Sequence, residues 1–220
     1  GKFGPAYLSF FPQHTIQENG KAVVPPIEKR LSYHYHKFGR VIHFNLDSGY
    51  LFPYDGQQLD FIKEISAAYP NFIKIASYHN PTFPTCHNND TSISVQMGLN
   101  VWNPVFDAYN FFSVFENHQH TFKKTYPLRG NKPSTVGTIF LGNGNWGADL
   151  GGKCTPKKGS VFETIGSYHH FWLVNVSWSQ GAVTYSAYNN TGASIITPFQ
   201  QKISDYINIH TPEKKSRWHH

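Results

Sequence analysis

Four histidines in two short segments offer the clearest chemistry in this sequence. His79 stands before an Asn-Pro pair at the end of an apolar run, and His87 follows closely. His118 and His120 flank one glutamine just after a second apolar run, residues 111–115. Two histidines at i and i+2 share one face of a regular strand, but in a loop past the strand they can diverge toward two metal ions. A hydrolytic site with two metal ions about 3.5–4 Å apart requires such an arrangement.

Each of these histidines also has a simpler interpretation. An isolated His79 would be a core histidine hydrogen-bonded to the backbone. His118 and His120 would share a surface loop by chance. The remaining histidines considered are expected to be strand residues or have no assigned role: His34, His36, His43, His169 and His170.

The elements predicted around these segments place the histidines at strand ends. Apolar positions at helical spacing predict an amphipathic helix over residues 57–68, and Asn103-Pro104 favours the start of a helix within 102–109. Short runs rich in Val, Ile, Phe and Tyr predict strands. These strands cover residues 31–36 and 40–46 as a hairpin, then 72–77 and 111–115.

After Val136 the sequence changes character. Residues 136–141, 171–178 and 182–188 are predicted as antiparallel strands, and residues 143–152 form a loop too rich in glycine to be regular. The prediction is one α/β domain over residues 1–220, strand-rich after residue 136. It has an irregular lead-in over residues 1–30 and a polar tail over 205–220 that frays from Ser204.

Composition limits the classes of function. The 220 residues are 16% aromatic and only 15% charged, with a formal net charge of +6 that leaves out 13 histidines. Such a surface tolerates anionic partners, but no basic-aromatic motif indicates nucleic acid. No run of about 18 apolar residues is present, so no membrane span is predicted.

Four segments in order resemble the calcineurin-like metallophosphoesterases. Residues 77–81 (Ser-Tyr-His-Asn-Pro) resemble the penultimate metal-ligand motif of that superfamily, and residues 115–125 resemble its last motif, Gly-His-x-His followed by an aromatic and a basic residue. Residues 41–48 are similar to the strand before these motifs and residues 138–144 to the glycine-rich strand after them. The branch most similar is the purple acid phosphatase-like one, over roughly residues 30–150.

The resemblance implies the C-terminal half of a four-layer β-sandwich flanked by helices. Three ligand motifs with which these enzymes begin do not occur here: Asp-x-His, Gly-Asp-x-x-Asp/Tyr and Gly-Asn-His-Asp/Glu. The expected partners are therefore a missing N-terminal segment or a companion chain that supplies the other ligands, and a phosphate ester substrate. Alone, the chain is expected to be inactive.

The resemblance also implies roles for individual residues. His79 and His118 would bind one metal ion and His120 the other, while His87 would contact the phosphate and protonate the leaving oxygen. The ions would be iron, zinc or manganese, and the reaction metal-assisted phosphoester hydrolysis.

Three charged residues near these motifs receive structural interpretations. Lys123 and Lys124 occupy the basic position after the last motif and are expected to be a solvated pair. Asp47 could be a metal carboxylate, but the family uses that segment structurally.

Sequons and cysteines suggest an extracellular, secretory or lysosomal-vacuolar location. Asn89, Asn175 and Asn189 begin Asn-x-Ser/Thr sequons, and Asn175 needs its side chain to face out of an apolar run. Cys86 and Cys154 are compatible with one disulfide or with two free thiols.

A second function class stays open beside the phosphatase. The same scaffold could serve as a non-catalytic, glycosylated structural or assembly protein, as a homo-oligomer or within a larger assembly, because strand edges left exposed by the absent half would promote pairing. A lectin-like sugar binder rests only on exposed aromatic residues.

Overall fold

A computed structural model describes residues 4–11, 16–85, 92–151 and 160–208 of the chain. The helices are α1 (Gly4–Phe10), α2 (Gln57–Ala68), α3 (Ile93–Met97) and α4 (Asn103–Ala108), with a π-helical turn (Gly98–Trp102) between the last two and 3-10 turns at Ile27–Lys29 and Ile203–Asp205. The strands are β1 (Ile16–Glu18), β2 (Lys21–Val23), β3 (His34–Phe38), β4 (Val41–Asn45), β5 (Ile73–Tyr78), β6 (Ser113–Glu116), β7 (Phe122–Thr125), β8 (Leu128–Arg129), β9 (Lys132–Pro133), β10 (Ile139–Gly142), β11 (Phe162–Gly166), β12 (His170–Ser177), β13 (Ala182–Asn189) and β14 (Phe199–Lys202).

A seven-stranded mixed sheet organises these elements, in the order β11-β7-β10-β6-β5-β4-β3. Strands β4, β5, β6 and β10 run parallel, while β3 and β7 pair antiparallel with their neighbours. The register places Tyr78 at the end of β5 opposite Glu116 at the end of β6. The carboxyl ends of the parallel strands therefore meet at one edge, where both histidine loops begin. This is the edge at which open α/β sheets bind ligands.

Side chains of the central sheet form two cores, because successive residues of a strand point to opposite faces. On one face the helices contribute Ile62, Trp102 and Phe106. On the other, a three-stranded antiparallel sheet, β12-β13-β14, contributes Val183 and Tyr185. The described residues thus form three layers: helices, the large sheet and the small sheet.

Most of the predicted architecture is confirmed. The fold is mixed α/β and strand-rich after residue 136. Helix α2 has the predicted bounds, and the hairpin β3–β4 and the antiparallel pair β12–β13 form as expected. No helix among the described residues is long and apolar enough to cross a membrane.

Three expectations were wrong. Strand β10 was expected to pair antiparallel, but it pairs parallel with β6 and antiparallel with β7. All four of its residues are buried, and a continuous apolar run does not indicate the direction of pairing. The lead-in contains α1 and the hairpin β1–β2. At the other end, Tyr206 and Ile207 are buried where a fraying tail was predicted, because the Tyr206 ring stacks on Phe112 with ring centres 4.2 Å apart.

Candidate metal centre

His79 and His118 face each other across the ends of β5 and β6. His79 Nε2 lies 2.9 Å from His118 Nδ1, and the rings meet edge-to-face with centres 4.9 Å apart. The loops are also joined through the backbone, because the amides of Asn117 and His118 donate to the carbonyl oxygen of His79 at 3.1 and 2.7 Å. The fold thus unites two histidines that are 39 residues apart in sequence.

Burial lowers the pKa of His79, and the nearby charges of His118 and His120 lower it further. The lowered pKa favours the neutral form of His79. A neutral imidazole is the form that binds a metal ion. When both rings are neutral, one donates its N–H to the lone pair of the other.

His120 points its Nδ1 toward a different partner. This nitrogen lies 2.8 Å from the carbonyl oxygen of Asp149, which can only accept a hydrogen bond, so Nδ1 carries the proton. In the neutral ring this leaves the lone pair on Nε2, as in histidines whose second nitrogen is oriented toward a metal by an outer partner. Within the described ranges, however, no three His, Cys, Asp or Glu side chains converge closely enough to hold a metal ion.

The loop after β4 contacts the segment that carries His79. The Ser48 hydroxyl accepts from the backbone amide of Asn80 at 2.8 Å, and the Tyr50 ring lies edge-on to His79 with centres 5.6 Å apart. Asp47 holds this loop, because its buried carboxylate accepts from the Ser32 hydroxyl and from three backbone amides. Asp47 therefore has the expected structural role.

The glycine-rich segment after β10 packs on the second histidine loop. The backbone amide of Asn143 donates to the carbonyl oxygen of Glu116 at 2.9 Å. The backbone amide of Gly151 donates to the carbonyl oxygen of His120 at 2.7 Å. Within this segment Trp146 is 73% exposed. It borders a cavity of about 350 Å³ lined by Trp146, Gly147, His169, His170, Phe171 and Asn190.

The prediction that Lys123 and Lys124 are solvated is wrong. Both are buried; Lys123 pairs with Glu116 and Lys124 with Glu163. Sequence reasoning also missed Glu116 itself. A carboxylate that ends an apolar strand run, with lysines shortly downstream, was the available signal.

Several predicted site residues lie outside the described residues: Cys86, His87, Asn89 and Cys154. The disulfide, the proton donor and one sequon therefore stay predictions. Asn175 is exposed on β12, as a glycan would need, whereas Asn189 is half-buried.

The three histidines predicted in the hairpin lie in strands, as expected. His34 and His36 belong to β3 and His43 to β4. His169 precedes β12, and the buried His170 begins it.

No protein-family model and no curated protein matches the sequence. Among solved structures, the chain is similar to the purple acid phosphatase PPD1 from seeds of yellow lupin (Lupinus luteus), with a TM-score of 0.66 at 14% identity over 80% of this chain. It is also similar to GAP50, the anchor in the inner membrane complex of Plasmodium, with a TM-score of 0.57 at 12% identity over 84% of this chain. The chain spans 33% of the lupin protein and 58% of the Plasmodium protein. These likenesses show that the fold is metallophosphoesterase-like.

Proposed function

We propose that this chain forms the histidine-bearing half of a binuclear metal-dependent phosphoesterase. The observation that carries the proposal is the separation of 2.9 Å between His79 Nε2 and His118 Nδ1 at the carboxyl edge of the parallel strands. The similarity in fold to a purple acid phosphatase supports it.

The donor set fits a first-row metal ion. Imidazole nitrogens suit iron and zinc. Two nitrogens that are each about 2.0–2.1 Å from one ion lie about 3 Å apart when they are neighbours in its coordination shell. The separation of the two histidines agrees with that value.

In this proposal His79 and His118 hold one ion and His120 contributes its Nε2 to the second. The other ligands would come from a companion segment or a separate polypeptide. Bound metal ions would supply hydroxide near neutral pH and neutralise charge on the phosphate oxygens.

The chain's own residues would orient and bind the substrate. The carbonyl oxygen of Asp149 fixes the tautomer of His120. The cavity beside Trp146 is lined by His170, whose Nε2 lies 2.8 Å from the carbonyl oxygen of Gly142 at the end of β10, and it would receive the organic part of the ester. His87 is proposed to protonate the leaving oxygen.

Equilibrium dialysis against Zn²⁺, with metal content measured by elemental mass spectrometry, tests the histidine pair. We expect His79→Ala and His118→Ala each to weaken zinc binding by at least about tenfold. The exposed His36 on β3 supplies a matched control, His36→Ala, which should bind as the unmodified chain does. Equal binding by all four proteins would contradict the proposal.

Activity is tested with p-nitrophenyl phosphate on the protein purified from its natural source. Hydrolysis that disappears in His118→Ala supports the phosphoesterase.

The likeness to GAP50 favours a second candidate, an assembly scaffold of the same fold. This candidate predicts no specific zinc binding and no hydrolysis. It also predicts that the chain forms a stable complex with another protein.

A further inference from the structure

A buried ion pair joins β6 and β7, the two strands on either side of the loop that carries His118 and His120. Lys123 Nζ is 2.5 Å from Glu116 Oε2, and both side chains are at most 1% exposed. An unpaired charge at such a depth would be strongly destabilising, whereas a satisfied pair is not, so the two residues must remain together.

Each partner of the pair also contacts a neighbouring segment. The other carboxylate oxygen, Glu116 Oε1, accepts from the Tyr78 hydroxyl at 2.9 Å and from the amide of Thr82 at 2.7 Å. Lys123 Nζ donates in addition to the carbonyl oxygen of Phe83 at 2.6 Å. One carboxylate and one ammonium thus connect the end of β5, the loop after it, the end of β6 and strand β7.

These contacts lie next to the histidines in the chain. Tyr78 immediately precedes His79, and Glu116 stands two residues before His118. On the far side of the loop, Lys123 follows His120 by three residues. The Asn117 side chain adds a parallel link, because its amide donates to the carbonyl oxygen of Tyr78 at 2.8 Å.

We propose that Glu116 and Lys123 are positioning residues that hold His79 and His118 at metal-binding separation. The inference rests on the proposed function, because the separation matters for that chemistry. Apolar replacement of the pair removes its hydrogen bonds to Tyr78, Thr82 and Phe83 in either case. A pair that served the core alone would then change only the free energy of unfolding. A positioning pair would also change the separation of the two histidine rings.

The decisive variant replaces both charges with unbranched apolar side chains, Glu116→Met with Lys123→Met. The matched control is Lys124→Met with Glu163→Met, the ion pair that joins Lys124 of β7, the neighbour of Lys123, to Glu163 of β11. Circular dichroism measures folding and thermal unfolding, and titration with Zn²⁺ measures affinity. In the metal-free chain, ¹H–¹⁵N correlation spectra of the histidine rings report whether His79 and His118 remain hydrogen-bonded.

We expect the first double variant to fold, to bind zinc about 10–100-fold more weakly, and to lose the ring-to-ring hydrogen bond. The control variant should keep the zinc affinity and the ring signal of the unmodified chain. A folded Met–Met variant that retains both properties would overturn the inference. If it does not fold, Glu116→Gln with Lys123→Gln replaces it, and failure of both variants to fold would assign the pair to stability alone.

The two proposals fail in different ways. Absence of zinc binding in the unmodified chain overturns the proposed function. The ring signal of the metal-free variants still decides whether Glu116 and Lys123 position the histidines.

Discussion

The backbone of Gly144 packs so closely against the carbonyl oxygen of Asn117 that no side chain fits between them. Asn117 begins the loop that carries His118 and His120, so the backbone of the glycine-rich segment packs directly against the backbone of that loop. Gly151 repeats the relationship farther along, where an added Cβ would lie 2.5 Å from the carbonyl oxygen of His120. These glycines are needed for close approach of two backbones.

Gly144→Ala should therefore displace the histidine loop. We expect a loss of about 1–3 kcal/mol in the free energy of unfolding, the usual cost of overpacking, together with weaker zinc binding. Denaturant unfolding and zinc titration measure the two effects. Gly39→Ala is the control: Gly39 has a φ of +57° but open space at its Cβ position, so only backbone strain should result and zinc binding should not change.

Acid should destabilise the fold partly through His43. Burial lowers the pKa of His43 below its ordinary value of 6.5, and the positive charge of His36 lowers it further. The unfolded chain then binds a proton more readily than the folded chain, so this contribution to stability is present above pH 6.5 and is lost as pH falls through the lowered pKa. Denaturant unfolding at pH 8, 6.5 and 5 should show a smaller acid loss in His43→Gln. An unchanged pH dependence in that variant would refute this account.

Removing the Asp47 carboxylate should loosen the loop beneath His79. Asp47→Ala leaves the amides of Tyr50, Leu51 and Phe52 without their acceptor. We expect a cost of about 1.5–3 kcal/mol in the free energy of unfolding, the range for a hydrogen-bonded charged group. Thermal and denaturant unfolding check the value, and Glu64→Ala, at an exposed position of α2, should cost far less.

If the protein passes through a secretory pathway, Asn175 should carry a glycan. Its side chain is exposed on β12, whereas the carbonyl oxygen of the half-buried Asn189 side chain accepts from Thr191 and Ala193. Intact mass spectrometry of material secreted from a eukaryotic host should show one glycan fewer in Asn175→Gln. If enzymatic deglycosylation removed the same mass from Asn175→Gln as from the unmodified protein, the prediction would be contradicted.

Local patterns predicted the elements that depend on neighbouring residues. The 3.6-residue period of Leu59, Ile62 and Ile65 gave α2 its bounds, because one apolar face is enough to define an amphipathic helix. The hairpin β3–β4 was likewise predictable from its turn at Gly39, which has a φ of +57°. Patterns failed for β10, whose continuous burial conceals its direction, and for Tyr206, whose partner Phe112 lies far away in sequence.

By itself, the sequence determined which side chains could act as metal ligands and that His79 and His118 follow strands. Tertiary structure alone decided that these two rings face each other, because the parallel register of β5 and β6, with Tyr78 opposite Glu116, is set by packing of distant segments. It also decided that Lys123 is buried, although the local sequence predicted a solvated side chain. Burial beside Glu116 makes that lysine half of an ion pair, since only the assembled sheet removes both charges from water.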